Sequence, residues 1–99
     1  MNRRVHATAR ARRQIGIADE WWRANRLDAP ALFVDELEAA SILIADVPHA
    51  GRRYPVDNPP GVRRVLLPRT GYHVYYTAEA DRVLIRAVWH AVRGRSPKL

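Results

Sequence analysis

The sequence predicts an α+β fold: an N-terminal strand, a hairpin of two helices, then a three-stranded antiparallel meander. Three observations predict it. Apolar residues recur at helical spacing in two consecutive runs between residues 9 and 47. From residue 62 onward the pattern changes to three β-rich segments separated by turn signals. The chain has 99 residues, the length of one domain, so residues 1–99 are read as a single unit.

Residues 3–8 open the chain with Val5 and Ala7 alternating against Arg4 and His6, which suits a first or edge strand. Thr8 is placed to cap a helix by accepting from an orphan backbone N–H. From Ala9 to Asn25, Ala11, Ile15, Ala18 and Trp22 fall on one helical face, and Ile17 and Trp21 are expected to widen that stripe. Gly16 weakens the helix and suggests close packing at that point. Residues 25–28 interrupt the period. Asp28 is the expected cap of a second helix, with Pro30 tolerated in its first turn. Phe33, Leu37, Ala40 and Ile44 mark the apolar face of that helix, and Pro48 ends it. Two helices joined this closely form an αα-hairpin.

Four prolines and two glycines make residues 48–61 a loop without regular structure. Val62–Leu67 is the first strand of the meander, stopped by Pro68 and turned by Arg69-Thr70-Gly71. Tyr72–Thr77 is the second. Arg82–His90 is the third, and alternation puts Val83, Ile85, Ala87 and Trp89 on one face. Residues 91–99 read as a basic, frayed tail.

The net charge is +7, carried by sixteen arginines and Lys98. Such a balance points to an anionic partner, either nucleic acid or an acidic protein. The charge comes in blocks: residues 1–26 sum to +5, residues 27–47 to −5 and residues 48–99 to +7. The acidic middle block is free to pair with the basic first one. A domain of this size has a small core, so function is expected on a surface or in a shallow groove. The absence of cysteine excludes disulfides, thiolate catalysis and cysteine-ligated zinc. No apolar run approaches the roughly 20 residues of a membrane span, and no apolar signal core follows the N-terminal arginines. The chain reads as cytoplasmic, without a membrane partner.

Signatures of common enzymes are missing: no GxGxxG, no P-loop, no HExxH and no GxSxG. The four histidines lack a helical metal-ligand spacing, and neither a metal nor another cofactor is expected. His90 is the candidate for chemistry. It ends the last strand, three residues before Arg93, and an imidazole beside arginines can move a proton while they hold phosphate charge. The plainer alternative is a histidine that bonds backbone and ends the strand. Arg63 and Arg64 alternate, so only one of them points into any given groove. Arg86 and His90 share a face by alternation. If the helices cover the Val83/Ile85/Ala87/Trp89 side, Arg86 and His90 lie on the open one. There, arginines with Tyr72, Tyr75 and Tyr76 would suit RNA, through phosphate contacts and base stacking. The alternative is that the tyrosines pack into the core.

Several pieces in order resemble the ParE/RelE superfamily of toxins. They are Thr8-Ala9-Arg10-Ala11, Asp19–Asn25 with Trp21-Trp22, Ala31–Ala40 with Phe33 and Glu36-Leu37, the Val47-Pro48-His49-Ala50-Gly51-Arg52 turn, Gly61–Val65, Tyr72–Tyr76, and Val83–Ala87 followed by Trp89-His90-Ala91-Val92-Arg93. The similarity spans roughly residues 5 to 95. It implies the toxin of a type II toxin–antitoxin pair, held in a hetero-oligomer by a co-encoded antitoxin that wraps it with a flexible segment. Members resembling RelE cleave mRNA on the ribosome; members resembling ParE poison DNA gyrase. The chain has no lysine before Lys98 and no tyrosine after Tyr76, which departs from the RelE pattern and favours the ParE branch. On that branch the protein is not an enzyme, and Arg52, Arg93 and Arg95 are the expected target contacts. On the RelE branch it is an endoribonuclease, with His90, Arg63, Arg64, Arg86 and Arg93 as the catalytic set. A third reading is a non-toxic relative that only binds an antitoxin-like partner.

Overall fold

The computed structural model describes residues 3–92 and 96–99. Its elements are β1 (Arg4–Ala7), α1 (Ala9–Asn25), α2 (Leu32–Asp46), β2 (Arg52–Arg53), β3 (Val62–Leu67), β4 (Tyr72–Ala78) and β5 (Arg82–His90). The strands form one five-stranded sheet in the order β1-β5-β4-β3-β2, with β1 parallel to β5 and the other pairs antiparallel. The α+β class, the helix hairpin and the meander are as the sequence predicts. The fifth strand is the addition. Arg52 and Arg53 lie between Pro48 and Pro55, where both N–H groups are available, and they pair with Arg64 and Arg63 of β3.

α1 begins as expected: Thr8 Oγ1 accepts from the Ala11 N–H at 3.1 Å. Its inner face is Ala11, Ala18 and Trp22, with Ile15 packed against the same core. Ile17 and Trp21 do not join that face; they are 66% and 46% exposed. α2 starts later than predicted. The reversal out of α1 consumes residues 26–31, with Ala29 N–H bonded to Arg26 O and Leu32 N–H to Ala29 O. Asp28 is left in that turn, and the cap position falls to Ala31, which makes no side-chain bond. Phe33 and Ile44 are fully buried, with Leu37 and Ala40 packed beside them.

The core lies between the helices and one face of the sheet: Phe33 and Ile44 from α2 meet Leu67, Val74, Tyr76, Val83, Ile85 and Val88. Burying these side chains stabilises the fold by roughly 1.5–3 kcal/mol for each large one. A carboxylate latches α2 to the β3–β4 turn. Glu36 accepts from the Arg69 N–H at 2.8 Å, the Thr70 N–H at 3.0 Å and the Thr70 hydroxyl at 2.7 Å.

β5 departs from simple alternation. Tyr75 pairs with Ala87 while the next residue, Tyr76, pairs with Ile85, so Arg86 is the extra residue of a β-bulge. Before the bulge Val83 and Ile85 face the helices; beyond it Val88 does, and Ala87 and Trp89 face away. The single Val83/Ile85/Ala87/Trp89 face is therefore split in two.

The second face of the sheet is not bare. Val62, Tyr75 and Ala87 form a small cluster there, covered by Tyr54, Val56, Trp89 and Leu99. Residues 96–99 are not frayed as expected: Pro97 is buried, Leu99 packs on this cluster, and the Tyr54 hydroxyl donates to Ser96 Oγ at 3.1 Å.

Candidate functional site

A groove of about 500 Å³ opens between α1 and the ends of β4 and β5. Its walls are Ile17, Trp21 and Trp22 on one side and Tyr72, Val88 and His90 on the other, with Arg26, Arg69 and Thr70 at the rim. The bulge creates one wall, because it turns Val88 and His90 toward the helices. The other wall follows from α1, whose Ile17 and Trp21 project beyond the edge of the core. The Trp21 and Trp22 rings meet edge to face at 5.8 Å, and the Arg26 guanidinium stands 5.6 Å and 5.7 Å from their centroids. An apolar floor with aromatic anchors and a cationic rim suits an amphipathic segment carrying acidic residues.

His90 sits against Tyr72, ring centroids 4.9 Å apart and nearly perpendicular. Its Nδ1 accepts from the Val92 N–H at 3.3 Å, which leaves Nε2 to carry the proton of the neutral ring. Nε2 faces Gly71, where an added Cβ would stand 3.1 Å away; Gly71 also adopts φ +84°. Both requirements favour glycine there.

On the opposite face of the sheet, the Arg64 guanidinium lies 5.3 Å from the Tyr54 ring and 5.8 Å from Tyr75, and the two tyrosines meet edge to face at 5.0 Å. Arg52 is directly across from Arg64 and so shares its face. His73 lies beside Tyr75, and burial, then the Arg64 charge, lowers its pKa below the ordinary value.

A family model described as the ParE toxin of the type II toxin–antitoxin system parDE matches residues 5–94. The chain belongs to that family. Among solved structures, the fold is similar to a chain of the chromosomal ParDE toxin–antitoxin system from P. aeruginosa: TM-score 0.66, 17% identity, covering 89% of this chain and 95% of that one. No curated protein matches it in sequence.

Within this family member, the residues proposed from sequence for chemistry do not come together. His90 is on the helix side of the sheet. Arg63 is on that side too, but it pairs with Tyr76 whereas His90 pairs with Tyr72, four residues further along β4 and roughly 13 Å away at strand spacing. Arg63 is also engaged: its guanidinium donates to Gly51 O at 2.8 Å. Arg64 and Arg86 are on the other face. Arg86 donates to the Thr77 hydroxyl at 3.1 Å and lies 4.0 Å from the Glu79 carboxylate. The expectation that Arg86 and His90 share a face is thus corrected by the bulge between them. Arg93 and Arg95 lie outside the described residues. Of the three tyrosines considered for base stacking, only Tyr75 faces the tyrosine–arginine cluster. Tyr72 is in the groove wall and Tyr76 is fully buried beneath the helices.

Sequence reasoning missed three residues that shape the site. Glu36 holds the groove rim through Arg69 and Thr70. Tyr76 donates its hydroxyl to Pro48 O at 2.8 Å and accepts from the Gly51 N–H at 2.9 Å, fixing the loop that carries Arg52. Gly51 is required there, since an added Cβ would stand 2.7 Å from the Tyr76 oxygen. The Pro48–Gly51 turn was the available signal; its tyrosine partner 25 residues on was not visible. The acidic and basic blocks do not pair across the hairpin: the ion pairs among described residues are Arg23–Asp19, Arg82–Glu79 and Arg86–Glu79.

Proposed function

We propose that this toxin acts in the cytoplasm by binding, without chemistry of its own: it poisons DNA gyrase and is neutralised by a co-encoded antitoxin. The observation that carries this reading is the dispersal of His90, Arg63, Arg64 and Arg86 over two faces and two ends of the sheet. A phosphodiester-cleaving site needs its proton donor and its cations within a few ångströms of one phosphate. Here each arginine already has a partner of its own, and His90 is packed on Tyr72 with one ring nitrogen taken by backbone.

The antitoxin's seat in this reading is the groove beside α1, where an acidic amphipathic segment would bury its apolar residues on Trp21 and Ile17 and meet Arg26 and Arg69 at the rim. The target contact in this reading is the exposed Arg52, with Arg93 and Arg95, which lie outside the described residues, as the further contacts that the sequence suggests. The deciding experiment is induction of the chain without its antitoxin, with a parallel supercoiling assay on purified gyrase. The expected result is an early halt in DNA synthesis, inhibited supercoiling, and full toxicity in His90→Ala. An early halt in translation with cut mRNA, lost in His90→Ala, would replace this reading with the ribonuclease one. Unaffected growth would leave a relative that only binds an antitoxin.

A further inference from the structure

Beyond the bulge, β5 leaves a backbone donor for a side chain to meet. β1 stops opposite Ile85, so Val88 has no neighbour on that strand. Its N–H donates instead to Gln14 Oε1 of α1, at 2.8 Å. The start of α1 is tied to the same stretch of β5: the Thr8 N–H donates to Ile85 O at 3.0 Å and its hydroxyl to Arg86 O at 3.4 Å. The Val88 bond also fixes which way the Gln14 amide points. A backbone N–H needs an acceptor, so the amide oxygen faces Val88 and the NH2 group faces away. Gln14 is half-buried and lines the groove beside α1. Its Nε2 makes no bond within the described residues, and it is not enclosed: the one buried side-chain nitrogen or oxygen without a partner among them belongs to Arg3.

The other polar groups of the groove share this bias. His90 uses Nδ1 on the Val92 N–H and has an N–H left at Nε2. The Arg26 and Arg69 side chains stand at the rim with no carboxylate partner among the described residues, and no Asp or Glu lines the groove. Walls that offer N–H groups and cations select an occupant rich in oxygen acceptors. Most of these contacts do not fix its register. Apolar contact with Ile17, Trp21 and Tyr72 is non-directional, and the arginines carry their charge on long stems. Gln14 differs, because backbone holds one end of its amide and so presets the other.

We propose that Gln14 sets the register of the antitoxin in the groove: Nε2 donates to a carboxylate oxygen of the bound segment while Oε1 stays on Val88. The inference rests on the reading of the groove as the antitoxin's seat. A carboxylate suits this position better than a neutral carbonyl, because the exposed Arg10 stands one turn earlier on the same side of α1. A bond from an amide to a charged oxygen is also the stronger one. Arg26 lies about 18 Å further along the helix, at 1.5 Å per residue. The segment that fits therefore carries one acidic residue at Gln14 and another at Arg26, with apolar residues between them on Ile17, Trp21 and Trp22.

The test is calorimetric titration of the purified chain with the full-length co-encoded antitoxin, at roughly 0.05 M and 0.5 M salt. Gln14→Glu keeps an oxygen for Val88 and puts a second oxygen where the NH2 group stood. Its urea midpoint should match the parent while binding weakens about tenfold or more. The loss should stay about tenfold at the higher salt, where a loss due to added charge alone shrinks toward parity. A merely structural glutamine would give the reverse pattern, with stability moving and binding intact. In amide NMR spectra of the parent, the Gln14 side-chain NH2 pair, identified by its absence in Gln14→Glu, should shift on complex formation and exchange more slowly with water. Trp21→Ala reports on the seat itself and should weaken binding about tenfold. If Trp21→Ala binds like the parent, the antitoxin sits elsewhere and both readings fall. If Trp21→Ala weakens binding but Gln14→Glu stays within about threefold of the parent at roughly 0.5 M salt, the groove is the seat and Gln14 does not set the register. An NH2 pair that the antitoxin leaves unmoved overturns the Gln14 assignment in the same way.

Discussion

Replacing Glu36 with alanine removes the acceptor for three donors at once: the N–H groups of Arg69 and Thr70 and the Thr70 hydroxyl. Thr70 is 5% exposed, so its two donors lose their partner where water reaches them poorly. A hydrogen bond to a charged group contributes about 1.5–3 kcal/mol, and an orphaned buried donor costs about 1–3 kcal/mol. The Arg69 bond is solvent-exposed and counts for little. Taking the lower values for the two Thr70 donors gives a loss of about 3 kcal/mol for Glu36→Ala. For a domain near 100 residues that lowers Tm by roughly 12–24 °C. Glu36→Gln keeps one carbonyl oxygen and should lose about half as much. Urea unfolding of the three proteins, followed by tryptophan fluorescence, reads the difference directly. The latch also sets the groove rim, so the alanine variant should bind an antitoxin less tightly than the glutamine one. If Glu36→Ala unfolds within about 0.5 kcal/mol of the parent, the carboxylate is not holding the turn and the reasoning fails.

Three further outcomes are expected. Tyr76→Phe removes a buried hydroxyl bonded to Pro48 and Gly51 and should cost about 1.5–3 kcal/mol in urea unfolding. Burial raises the Tyr76 pKa, outweighing the Gly51 N–H and the Arg63 charge, so the folded state holds that proton longer than the unfolded chain. Its stabilisation is full below about pH 10 and fades as pH rises through the folded value; the alkaline slope of the unfolding midpoint should flatten in Tyr76→Phe. His73 has the opposite sense: its lowered pKa means stability is full above about pH 6.5 and declines as pH falls through the folded value, a slope that His73→Gln should remove. Deleting residues 96–99 uncovers the Tyr54/Tyr75 cluster and should cost about 1–3 kcal/mol, mostly for Pro97 and Leu99; an unchanged urea midpoint would mean the tail does not hold that face.

Much of the fold was legible because its elements obey local rules. The Ala11/Ile15/Ala18/Trp22 and Phe33/Leu37/Ala40/Ile44 periods gave the two helices, Thr8 gave a cap, and Pro68 with Gly71 gave a turn. Where the sequence misled, a long-range partner decided the matter. Asp28 has the chemistry of a cap, but the chain needed residues 26–31 to reverse direction. Ile17 and Trp21 fit an apolar stripe by period, yet the sheet ends before it can cover them, and so they line a groove. Glu36 and Tyr76 read as an ordinary helix acid and an ordinary strand aromatic. Their roles depend on backbone groups 33–34 and 25–28 residues away.

The bulge at Arg86 is the sharpest case, because one residue changes the chemistry as well as the packing. Strand alternation has period two, so a single extra residue inverts every side chain beyond it. Without it, Arg86 and His90 would stand on one face, with Ala87 and Trp89 under the helices. With it, Ala87 and Trp89 help close the face that carries the Tyr54/Tyr75 cluster. Val88 and His90 turn back to wall the groove beside Trp21 and Trp22. Arg86 stays with Thr77 and Glu79 on the other side of the sheet. The residue that a ribonuclease reading would ask to hold phosphate charge is thereby separated from the residue it would ask to move a proton. The same insertion supplies the apolar and aromatic wall that a bound segment needs. A register shift that no local pattern in residues 82–90 announces is what sets Arg86 and His90 on opposite faces of the sheet and builds one wall of the groove.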